Sequence, residues 1–156
     1  MNSPITAKPD IDQTYRTMVI IWLVLLLSQF ALIGVAFSFI GPEAMANAET
    51  GFLGANPPIV IGALVLAFTN LALSFFMRRR SLEQAVAEQN VKHVQTGLVI
   101  ACALCESISL MGMVLIIVFA YPFFYLWFAL GILGIFLHFP RRKYLLDASF
   151  SQNPEA

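Results

Sequence analysis

The sequence predicts an all-α polytopic membrane protein, and three observations predict it. Of its 156 residues 59% are hydrophobic and only 12% charged, whereas soluble domains average roughly 45–50% and 25%. Nine basic side chains balance nine acidic ones, which argues against a nucleic-acid partner, since phosphate binding needs a basic excess. Four apolar stretches, Met18–Ile40, Ile59–Met77, Gly97–Ala120 and Phe123–Phe139, have the roughly 17–25 residues a helix needs to cross a bilayer. Helices are the required form, because lipid offers backbone groups no partner and the stretches are too long and uniformly apolar for barrel strands.

Residues 1–17 form a polar tail carrying Lys8 and Arg16. The first span follows. Small residues at Ala44, Ala46 and Ala48 present a cleavage pattern, but the apolar stretch before them is longer than the roughly 7–15 residues of a signal core. It is therefore expected to stay as a span. The next loop holds Glu43 and Glu49 and no cation, and Pro57-Pro58 suits the first turn of the second span.

Residues 78–96 carry Arg78, Arg79, Arg80 and Lys92. They are expected to form a cytoplasmic connector with a helical portion and a turn at Asn90. The third span meets the fourth at Tyr121-Pro122, and Arg141, Arg142 and Lys143 open a second polar tail, residues 140–156. With every cation before span one, between spans two and three or after span four, the positive-inside rule places both termini and the 78–96 loop in the cytoplasm. The expected location is the inner (plasma) membrane, with a transmembrane domain over residues 18–139. Tyr15, Trp22 and Tyr144 are expected as anchors at the inner interface, and Tyr125 and Trp127 at the outer one. The clusters Arg78 to Arg80 and Arg141 to Lys143 are candidate contacts for anionic lipid or a partner, beside a plainer role as topology signals.

Glu106 is the one acid inside a span, roughly 14 Å from its cytoplasmic end at 1.5 Å per residue. Ionised groups are costly there, face the bundle or water, and by default suggest function. Desolvation favours the neutral acid. Cys102, Glu106, Ser109 and Met113 share one helix face, which puts Ser109 near the carboxyl. Beside it runs a stripe of small residues, Ala101, Cys105, Ser109 and Gly112, matched in span two by Ala63, Ala67, Asn70 and Ser74. Asn70 and Gln29 lie roughly 10 and 16 Å deep by the same count. Glu106, Ser109, Asn70 and Gln29 are thus the candidate ion-binding set, with Glu106 and Asn70 the expected pair. The structural alternative is a neutral acid that only joins helices.

The stretch VQTGLVIACALCESISLMGMVLIIVFA resembles the carboxylate helix of the proteolipid rotor subunits of F- and V-type ATP synthases. Ala103, Leu104, Glu106 and Gly112 stand at the positions of that pattern, and the resemblance covers about residues 59–120. It implies that Glu106 binds H+ or, given more oxygen ligands, Na+. Spans one and four are additions to the two-helix hairpin of the F-type subunit; in the four-helix V-type proteolipids the Glu lies in the last helix, whereas here it lies in the third.

Cys102-x-x-Cys105 has the spacing of a redox or metal pair, but within a lipid span it reads as packing. His93 and His138 fall near the cytoplasmic interface, where haem ligation would need an off-centre site between the 78–96 arm and span four; Gly131, Gly134 and Ala129 read as a packing face. No metal and no cofactor is expected, and no catalytic motif occurs. The functional expectation is a subunit taking part in ion translocation or coupling, partnered by lipid and by other membrane subunits or its own copies. The alternative is a structural or assembly subunit without a transport role.

Overall fold

The computed structural model describes residues 10–40, 51–54 and 56–150, all helix and turn among the described residues. Lys8, Glu43, Glu49 and the small residues at 44, 46 and 48 lie outside them. The helices are α1 (Ile11–Phe37), α2 (Pro57–Ala87), α3 (Val91–Phe119), α4 (Tyr125–Leu137) and α5 (Arg142–Phe150). Three of them, α1, α2 and α3, are long and apolar enough to cross a membrane. The fourth is apolar but has 13 residues, about 20 Å of helix against a hydrocarbon core of about 30 Å. Regular helix therefore occupies only part of the expected 123–139 span.

Local chemistry sets the helix ends. Asp10 caps α1 by accepting from the backbone N–H groups of Asp12 and Gln13. Helix α2 starts on Pro57-Pro58 and runs on through the three arginines, good helix formers with no Gly or Pro among or after them before Gly97. Residues 78–96 are consequently a helical hairpin tip rather than a loop. Its turn is Glu88–Asn90, with Gln89 in the left-handed region (φ 50°) and the Asn90 side chain capping α3 at Lys92. Helix α3 ends on Ala120, also left-handed (φ 47°).

Helix α3 is the centre of the bundle and packs on all four others. Its contacts fix the directions. Gly97 meets Ser81, Cys105 meets Ser74, and Ser109, Cys105 and Gly112 meet Gly131, Gly134 and Trp127, so α2 and α4 both run against α3. Trp22 at Ile135 and Phe37 at Phe124 set α1 against α4, and hence along α3. Glycine is needed where backbones come closest. A Cβ on Gly112 would stand 2.9 Å from the Phe124 carbonyl, and one on Gly131 would stand 2.9 Å from that of Cys105.

Two expected interface anchors are in the interior. Trp22 and Trp127 are buried, and the Trp22 indole donates to the Ile135 carbonyl at 2.8 Å; their rings supply apolar area to a bundle whose small-residue seams leave room for it. Tyr15 and Tyr144 are half-buried and Tyr125 exposed. The tail after residue 140 contains α5, whose Leu145 and Ala148 are fully buried. Arg142 pairs with Asp12 at 2.6 Å and ties that helix to the start of α1.

Candidate functional site

The bundle is joined at mid-depth by three interhelical contacts of one form. Asn70 of α2 donates to the Ser107 hydroxyl at 2.9 Å, and Ser107 donates to the Leu104 carbonyl at 2.7 Å. The Cys105 thiol donates to Ser74 of α2 at 3.7 Å, and Ser74 to the Leu71 carbonyl at 2.7 Å. The third contact joins α3 to α1: Ser28 Oγ lies 2.9 Å from Glu106 Oε1 and 2.8 Å from the Leu25 carbonyl. Each serine is bound to a carbonyl three residues earlier, which leaves its oxygen free to accept from the neighbouring helix.

That common form bears on the proton of Glu106. A hydroxyl carries one proton, so Ser28 cannot donate fully to both Leu25 and an ionised Glu106. If the acid is neutral, its O–H donates to Ser28 and Ser28 donates to Leu25, the same chain as Asn70 to Ser107 to Leu104 and Cys105 to Ser74 to Leu71. If the acid is ionised, Ser28 must give up Leu25 to serve it. No ion pair among the described residues involves Glu106, so no cation offsets a charge there.

The expected pair of Glu106 with Asn70 is corrected by this geometry. Residues 106 and 107 point about 100° apart on a helix; Glu106 turns to α1, while Ser107 turns to α2 and takes Asn70. Depth along the spans was informative, but azimuth decided the partners. Ser109 does not bond Glu106. Its hydroxyl faces Gly131 on α4, buried and without a partner. Gln29 is completely buried, and both polar atoms of its carboxamide lack partners. Glu106 itself is half-buried.

Ser28 and Ser107 were not among the sequence candidates. Their signal is faint: Ser28 adjoins Gln29, and Ser107 adjoins Glu106, within spans otherwise almost free of polar side chains. Both cysteines are free and buried, with Cys105 packed on Gly134. An apolar groove of about 350 Å³ between α2 and α3, lined by Ile59, Gly62, Leu66, Met111 and their neighbours, does not include Glu106.

The cations at the hairpin tip and after α4 divide by use. Arg78, expected at the lipid or partner surface, turns inward, where its guanidinium donates to the carbonyls of His138 (2.5 Å) and Phe139 (3.3 Å) and lies 5.9 Å from the Tyr144 ring. A cation there complements the carbonyl end of α4. Arg79 pairs with Glu83 along its own helix, and Arg80, Arg141 and Lys143 are exposed. His138 is buried against Phe75, and His93 bonds Glu88 at the hairpin tip. No group of three metal-ligating side chains converges among the described residues. Neither a family model nor a curated protein nor a solved structure matches the chain.

Proposed function

We propose that the chain is a four-pass protein of the plasma membrane in which Glu106 binds a proton, as a subunit taking part in ion translocation or coupling. The cation distribution supports cytoplasmic termini and a cytoplasmic hairpin tip. Helix α4 makes the fourth pass with its flanking residues, and Arg78 holds its cytoplasmic end.

The Ser28 relay is the observation that carries the reading. It is complete with the neutral acid and broken by ionisation, so protonation and the α1–α3 contact are linked. H+ suits this site better than Na+, because a cation needs several converging oxygens while Asn70 and Ser107 are engaged with each other on the far flank of α3. Catalysis by the chain itself has no support in these groups. With one carboxyl and no cation paired to it among the described residues, the coupling machinery must include other membrane subunits or further copies.

One observation favours a structural or assembly subunit instead: the Glu106 relay is one of three, and the other two need no carboxyl. Carbodiimide labelling separates the readings, since the reagent attacks protonated carboxyls within lipid. Proton binding predicts labelling of Glu106 that falls as pH rises and is absent in Glu106→Gln. A Glu106 that stays unlabelled at every pH would leave only the structural role.

A further inference from the structure

Two buried groups near the relay, the Gln29 carboxamide and the Ser109 hydroxyl, have no hydrogen-bond partner among the described residues. On α1, Gln29 is one residue, hence about 100°, from Ser28. Ser28 is half-buried at the α1–α3 seam, whereas Gln29 is fully buried, so the turn leads inward. On α3, Ser109 follows Glu106 by three residues on the adjoining face and points at Gly131 of α4. Because α1 and α3 run the same way and Ser28 is level with Glu106, Gln29 and Ser109 differ in depth by about two residues, roughly 3 Å. A carboxamide with an unmet donor and an unmet acceptor and a hydroxyl with neither bond made are rare in a folded interior. Their usual partner is an internal water, which can accept from an amide and donate to a carbonyl and a hydroxyl at once.

Building on the proton-binding reading of Glu106, we propose that Gln29 and Ser109 hold an internal water between α1, α3 and α4, and that Glu106 exchanges its proton through it. The site supplies what the relay lacks. Leu25 is a terminal acceptor, so the Ser28 side leads nowhere, while a water one turn away can carry a proton to or from the acid. The ligand is water rather than Na+, since Gln29 and Ser109 are both uncharged and no cluster of metal-ligating side chains occurs among the described residues.

The test uses the full chain in lipid nanodiscs with glutamine side-chain amides labelled by nitrogen-15, recording magnetisation transfer from water. Infrared spectra of the same samples follow the exchange of the Glu106 carboxyl with D2O. Transfer to the Gln29 amide is expected, reduced several-fold in Ser109→Ala, along with several-fold slower exchange of the Glu106 band in Gln29→Leu. Ser109→Ala removes one oxygen from a packed site and serves as the check should Gln29→Leu fail to fold. A Gln29 amide without water transfer, while the exposed Gln84 shows it, would overturn the proposal; so would transfer that depends on Na+ in place of K+. A Glu106 carboxyl band that persists in that case leaves proton binding standing, and its absence removes both.

Discussion

Removing the Ser28 hydroxyl measures the relay directly. In Ser28→Ala the 2.9 Å contact between Ser28 Oγ and Glu106 Oε1 is lost and the Leu25 carbonyl keeps its helical bond. Nothing else changes in volume. Hydrogen bonds between membrane helices are worth about 0.6–2 kcal/mol, and this one is half-buried, so with the proposed neutral acid a loss of about 1 kcal/mol is expected. The assay is reversible unfolding in mixed detergent for the wild type, Ser28→Ala, Glu106→Leu and the double variant. The cycle should give a coupling of about 1 kcal/mol. In Glu106→Gln the amide still donates, so the cost of Ser28→Ala persists. An ionised Glu106 would instead lose a charge-assisted bond, worth about 1.5–3 kcal/mol, with a cost that varies with pH. A Ser28→Ala cost that is the same with and without Glu106 would refute the relay.

Other substitutions test the packing and the turn between α3 and α4. Gly131→Ala drives a methyl at the Cys105 carbonyl and the Ser109 hydroxyl and should cost about 1–3 kcal/mol by overpacking. Gly62→Ala meets nothing within 4 Å and should be neutral or stabilise by up to about 1 kcal/mol through helix propensity; the same unfolding assay reads both. Burial pushes the Tyr121 phenol up to about 12, with Tyr125 adding to the shift. The folded state thus holds that proton more tightly than the unfolded chain, whose phenols titrate near about 10. The contribution is present below about pH 10 and is lost as pH rises toward 12. Absorbance titration should show a late phenol that is missing in Tyr121→Phe, along with a smaller loss of stability over that window.

The long apolar helices and the small-residue seam of α3 were legible because helical periodicity and bilayer thickness act on the chain locally. Ala101, Cys105, Ser109 and Gly112 are all buried, as one stripe should be. The partners of polar groups were less legible. Counting depth brought Asn70, Glu106 and Gln29 to neighbouring levels, but a one-residue step between Glu106 and Ser107 sends them to different helices. Nor does a serine in a span advertise itself, since it can satisfy its own proton on the preceding turn and still accept from a neighbour. Trp22 shows the same limit. An interfacial preference is an average over membrane proteins, whereas the carbonyl of Ile135 becomes available only once α4 has packed. Helix α5 was hidden by its length, with Leu145 and Ala148 too few to make a periodic signal on their own.

The claim that Glu106 carries a proton in the folded bundle is tested most directly by difference infrared spectroscopy of the wild type against Glu106→Gln in lipid. The relay predicts a carboxylic-acid C=O stretch that belongs to Glu106, displaced in Ser28→Ala because the O–H loses its acceptor. A carboxylate band in its place, or an acid band that ignores Ser28, would contradict the account.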